Sequence, residues 1–191
     1  MGQAILLTGD PQSGKTTVIK QILERLECAV SGFYTLEIRN GKERKGFKIV
    51  TLNGIEKLLA HVEIDSPLRV GKYGVDLSAL DFIVAESIEK AIQSDKFVIV
   101  VTDEIGPMEI LSKKFCDAVM ELLKKDIILV GTIVKRSFPF TDEIKSMPNV
   151  TILEVTRDNQ ETIFHLVLEF LRKTERCRIK PNTAISKEGY R

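Results

Sequence analysis

The sequence predicts an α/β sandwich, a mainly parallel sheet with helices on both faces and an antiparallel hairpin addition at one side. Three observations predict it. Short apolar runs alternate with segments of helical periodicity, the pattern of strands joined by right-handed crossover helices. The chain opens on an apolar run, a glycine-rich loop and an amphipathic segment in direct succession. Two Asn-Gly pairs, Asn40-Gly41 and Asn53-Gly54, mark tight turns between β-type segments.

Taken in order, Gln3–Thr8 reads as a buried strand, and the loop from Gly9 to Thr17 fits the Walker A pattern G-x-x-x-x-G-K-[ST] without a mismatch. Gly9 and Gly14 permit backbone angles and close approach that a side chain blocks. Between them Asp10, Pro11, Gln12 and Ser13 carry the loop around phosphate, with successive N–H groups as a nest and the positive end of the next helix behind them. Lys15 is expected to reach the β- and γ-phosphates, Thr16 to ligate Mg²⁺ through a hard oxygen, and Thr17 to cap a phosphate. Val18, Ile19, Ile22, Leu23 and Leu26 then recur at helical spacing.

Residues 28–36 read as a strand, Asn40-Gly41 as a hairpin turn and residues 47–52 as its return strand. Residues 28–59 are expected to decorate one side of the parallel core. The charged run 42–48 there reads as a solvated hairpin tip, with phosphate contact as the alternative. Residues 69–76, Arg-Val-Gly-Lys-Tyr-Gly-Val-Asp, suit a surface loop bordering a ligand. A helix is expected over residues 78–94, a strand covered on both faces over 97–102, a helix over 112–125 and buried strands over 127–132 and 150–155. Asp158 and Glu161 form a start signal for a last helix over 159–173.

Composition bounds the rest. With 191 residues, 43% of them hydrophobic and 29% charged, the chain suits one domain over residues 1–173. Residues 174–191 carry five basic side chains against Glu175 and Glu188 and few large apolar groups, so they read as a loosely ordered basic tail. A formal net charge of +1 gives no global field for nucleic acid or an anionic membrane, and neither is expected as a partner. Cys28, Cys116 and Cys177 are widely spaced and read as free thiols, and His61 and His165 are isolated and receive no role. No leader and no run of about 20 apolar residues is present, which points to the cytoplasm.

The second chemical landmark is residues 98–104, Val-Ile-Val-Val-Thr-Asp-Glu, an apolar strand carrying two carboxylates at its carboxyl end, where open α/β sheets place ligands. As a Walker B element it assigns Asp103 to the metal and Glu104 to orienting or deprotonating the attacking water.

With those residues in place the chain resembles the thermophile-type P-loop nucleoside-triphosphatases, the group that includes the animal cancer-related nucleoside-triphosphatase. The resemblance is carried by GDPQSGKTT, GFYTLEIR at residues 32–39, Gly46-Phe47, VGKYGVD at 70–76, DEIGPME at 103–109 and GTI at 131–133, and it runs to about Lys173. It implies a P-loop fold and Mg²⁺-dependent hydrolysis of ATP, GTP and, with broad base tolerance, CTP and UTP. By analogy it also places Phe33 and Tyr34 near the nucleotide, although an aromatic pair in a hairpin is more often core. One departure stands out: the family reads DEIGKME, and Pro107 replaces its lysine here. Lys135 or Arg136 is the candidate to supply that charge. A small nucleotide or metabolite kinase and a nucleotide-gated binding module are the alternatives, and the sequence names no protein partner.

Overall fold

The computed structural model describes residues 2–94, 96 and 99–180. Nine strands form one sheet: β1 Gln3–Thr8, β2 Val30–Asn40, β3 Glu43–Thr51, β4 Glu56–His61, β5 Arg69–Val70, β6 Tyr73–Val75, β7 Ile99–Ile105, β8 Ile128–Ile133 and β9 Val150–Glu154. Their order is β5-β6-β4-β3-β2-β7-β8-β1-β9. From β2 to β9 all neighbours are parallel, and from β2 outward to β5 all are antiparallel. The expected hairpin addition is therefore a wing, and β2 belongs to both halves. Phe97 and Val98, expected to begin the strand now seen as β7, lie outside the described residues.

Strand alternation sorts the apolar side chains into two cores. Ala4 and Leu6 of β1, Val100 of β7 and Leu129 of β8 face one side, under helices α2 (Leu77–Val84) and α4 (Lys113–Leu122), which add Leu80, Ile83, Phe115 and Val119. Ile5 and Leu7, Val101, Ile128 and Val130 face the other, under α1 (Lys15–Arg25) and α6 (Gln160–Lys173), which add Ile19, Ile22, Val167 and Leu168. Phe33 is fully buried with its ring 6.0 Å from that of Phe115, so its role is core packing.

The segment expected as one helix over residues 78–94 starts with Asp76 accepting from the Ala79 N–H at 3.1 Å, then changes character. Beyond α2 it winds as a π-type turn, Ala85–Glu89, and finishes as α3, Lys90–Ile92. Ser87 is the cause. Its hydroxyl donates to the Ile83 carbonyl at 2.6 Å and its carbonyl accepts from the Ser31 hydroxyl at 2.9 Å, so both compete with the helical ladder. The last two elements are a 3₁₀ turn, Glu109–Leu111, and α5, Pro139–Ser146, whose Pro139 stands in the first turn, where no N–H is required.

Two expectations are corrected. Cys28 and Cys177 form a disulfide, leaving Cys116 as the free thiol among the described residues. The first seven residues of the supposed tail are fastened down. Ile179 bridges Leu26, the Lys180 N–H donates to the Arg25 carbonyl at 2.9 Å, and Arg176 pairs with Asp126. The apolar groups that sequence counting undervalued, Cys177 and Ile179, are enough because the α1–α6 face offers them a ready surface. Residues 181–191 lie outside the described residues.

Candidate active site

At the end of β1 the chain turns through positive φ at Gly9 (145°), Gln12 (64°) and Gly14 (100°), which curls the loop amides inward. Gln12 is a non-glycine residue held in the left-handed region, a conformation kept only where surroundings enforce it. Packing enforces the rest. A Cβ on Gly9 would stand 2.4 Å from the Val155 carbonyl oxygen, and one on Gly14 would stand 2.5 Å from Nε2 of Gln160. That amide donates to the Ser13 carbonyl at 2.9 Å, so α6 pins the loop from behind. Lys15 reaches back across the mouth of the nest, its Nζ donating to the carbonyls of Gly9 at 2.9 Å and Asp10 at 3.1 Å.

The carboxylates arrive from β7 through a bulge. Thr102 pairs with Gly131 and Ile105 with Ile133, so Asp103 and Glu104 together face one residue of β8, Thr132, and are re-aimed differently. The peptide between them is cis. The Thr132 hydroxyl donates to Oδ1 of Asp103 at 2.6 Å, whereas Oδ2, though buried, makes no hydrogen bond. Burial raises the Asp103 pKa; the hydroxyls of Thr132 and Thr16 and the Lys15 charge oppose the rise. Thr16 therefore stands near the Asp103 carboxylate, and Oδ2 is left without a hydrogen bond. Burial also raises the pKa of Glu104, opposed by Lys15 and reinforced by Asp103. Behind Gly106 lies Glu109, only 4% exposed, whose burial pushes its pKa up to about 8, with the negative charges of Glu104 and Asp103 adding to the rise.

These groups share one cleft of about 1080 Å³ that holds Gly9, Asp10, Pro11, Gln12, Gly14, Lys15, Thr16 and Thr17 with Asp103, Glu104 and Pro107. Lys135 and Arg136 line it too, but both are engaged. Lys135 Nζ pairs with Glu154 at 2.7 Å and Asp10 at 3.5 Å, and the Arg136 guanidinium lies 5.3 Å from the Phe138 ring centroid. Ser13 is buried behind the loop, and Tyr34 sits 5.5 Å from Lys20 Nζ without lining the cleft. Sequence reading gave no role to Gln160 and quoted Thr132 only within the GTI match, because each acts on a residue far away in the chain. The donors fit a hard divalent cation: a buried carboxylate oxygen without a partner, oriented through its twin, with the Thr16 hydroxyl beside it. Among the described residues no cluster of three His, Cys, Asp or Glu could hold a metal.

A phosphate nest after β1 and a carboxylate pair after β7, with β8 alone between them, define a P-loop nucleotide-binding protein. Comparison narrows the class: the NTPase family model matches residues 4–168, and the chain belongs to this family of nucleoside-triphosphatases. It is 44% identical over 168 residues to nucleoside-triphosphatase THEP1 of Thermotoga maritima, covering 88% of this chain and 95% of the relative. It is 37% identical over 178 residues to the cancer-related nucleoside-triphosphatase homolog of Mus musculus, covering 85% and 93%. The crystal structure of THEP1 from Aquifex aeolicus superposes with a TM-score of 0.77 at 34% identity, over 90% of this chain and 99% of that one. The solution structure of a human cancer-related nucleoside triphosphatase gives 0.76 at 30% identity, over 90% and 98%.

Proposed function

We propose that the chain hydrolyses nucleoside 5′-triphosphates, ATP and GTP and by the same contacts CTP and UTP, to the diphosphate and phosphate with Mg²⁺. The observation that carries this reading is the convergence, in one cleft, of Lys15 on the phosphate nest, the unpartnered Oδ2 of Asp103 and the half-buried Glu104. The nest and Lys15 bind the phosphate chain and ignore the base, which supports a broad substrate class. Bound Mg²⁺ would supply neutralisation of the charge on the triphosphate. Asp103, aimed by Thr132, and Thr16 are the residues that would hold it. Glu104 orients a water and takes its proton as the oxygen attacks the γ-phosphorus. The bond from that phosphorus to the bridging oxygen breaks, and the diphosphate leaves. The raised pKa of Glu104 suits a proton acceptor better than an ordinary carboxylate would.

Among the described residues no helix is long and apolar enough to cross a membrane; nucleoside triphosphates as substrates support a cytoplasmic location. A disulfide in that compartment is the exception met mainly in hyperthermophiles.

The test is incubation of purified protein with Mg²⁺ and each common triphosphate, with phosphate and all nucleotides quantified. Equal yields of free phosphate and diphosphate are expected. Diphosphate formed without free phosphate would replace hydrolysis by transfer, and the absence of any product would remove both.

A further inference from the structure

The cleft of about 1080 Å³ is lined by residues of the antiparallel wing as well as by the loop and the carboxylates. On the hydrolase reading Glu104 faces the terminal phosphate, which puts the nucleoside on the side of the loop away from β7. The cleft nevertheless continues past Glu104 onto the antiparallel wing, where Phe47, Val70, Gly71 and Tyr73 form its wall and Arg39 and Arg44 its rim. Phe47 and Tyr73 meet edge to face, 5.3 Å between centroids, and the Arg44 guanidinium lies 5.3 Å from the Phe47 centroid. Four cations, Arg39, Arg44, Lys45 and Lys72, are paired onto two carboxylates, Glu37 and Glu43, so the rim keeps a surplus of positive charge. The Nε of Arg44 is buried without a hydrogen-bond partner.

Two aromatic rings beside a guanidinium with an unused donor match an anion carried on an aromatic body. We propose that the far end of the cleft binds a second ligand alongside the triphosphate, a phosphate-bearing aromatic compound of the nucleoside monophosphate class. The proposal rests on the hydrolase reading, which sets the direction of the triphosphate. It joins the charged run 42–48 and the glycine-punctuated segment 69–76 to one purpose, since each supplies part of the same surface.

The test saturates the protein with Mg²⁺ and a non-hydrolysable triphosphate analogue, then titrates in nucleoside monophosphates, the parent nucleosides or inorganic phosphate by calorimetry. One monophosphate per chain is expected, at least about tenfold tighter than either the nucleoside or phosphate. Arg44→Gln and, separately, Tyr73→Ala should each weaken that binding by about tenfold while the analogue binds as before. Binding unmoved by both substitutions, equal binding of bare phosphate, or none at all to the analogue-loaded protein would overturn the second site and leave the hydrolase reading intact. Failure of the analogue itself to bind unmodified protein would overturn both.

Discussion

Asp103 and Glu104 are neighbours in the chain with separate surroundings, and the bulge in β7 is the reason. Glu104→Gln keeps size and reach but removes the proton acceptor, so single-turnover hydrolysis should fall by about 10² to 10⁴ while calorimetric affinity for the Mg²⁺·triphosphate stays near native. A chemical step within about threefold of wild type would pass the base role to another group. Asp103→Asn should instead raise the Mg²⁺ concentration needed for half-maximal rate, because it weakens the shell rather than the base. Glu109 carries a pH consequence for the ligand-free protein. Its folded pKa of about 8 stands above the ordinary 4.5, so between those values the folded state holds a proton that the unfolded chain releases. Stability from this group is full below about pH 4.5, falls as pH rises through that window, and is flat above about 8. Urea titrations across the window should show the decline in wild type and a shallower one in Glu109→Gln; equal slopes would remove Glu109 as its source. The loop was legible in the sequence because it is one continuous stretch, within which Lys15 donates to Gly9 and Asp10 a few residues back. Thr132 and Gln160 act on Asp103 and Ser13 across separations of 29 and 147 residues, and no local pattern announces such contacts.

Among the elements, β8 sets the width of the site by standing alone between the two chemical strands. Strands lie about 4.8 Å apart, so the ends of β1 and β7 are roughly 10 Å from each other, room for a phosphate and a cation between loop and carboxylate. Gly131 keeps that spacing where the bulge begins: a Cβ there would fall 2.2 Å from the Thr102 carbonyl oxygen. Gly131→Ala should therefore push β7 away from β8, costing about 1 to 3 kcal/mol in urea denaturation and lowering the hydrolysis rate of the fraction that remains folded. A variant with native stability and rate would show that the strands tolerate the intrusion. The parallel core was legible because its apolar runs are continuous, and the first hairpin because Asn40-Gly41 forms its turn. Several elements escaped, β4 and α5 among them. β5 and β6 are two and three residues long, too short for any period to show, and the π-type turn depends on a Ser31–Ser87 contact between distant segments. Asp158 also failed as a helix cap. Asn159 occupies that position with no side-chain cap bond, its Oδ1 taken by the Thr156 N–H at 2.7 Å.

For the whole molecule, the Cys28–Cys177 bridge closes a loop spanning 149 positions. On the chain-entropy account such a crosslink stabilises by about 5 kcal/mol, mostly by restricting the unfolded state. Reduction, or Cys177→Ser, should lower the melting temperature by several degrees or more, and an unchanged melting point on reduction would show that the thiols are not joined in solution. Cysteine spacing held no hint of the pairing, because the two sulfurs meet only once α1 and α6 lie on the same face of the sheet. The order of strands has a further consequence, in time rather than in space. β1 is made first, yet its two neighbours are β8 and β9, encoded beyond residue 127. On the ribosome the phosphate loop therefore waits, its strand unpaired, until most of the chain has emerged. The catalytic apparatus assembles last although its first half is written first, and a nascent chain that stalls before β8 has no nucleotide site to misuse.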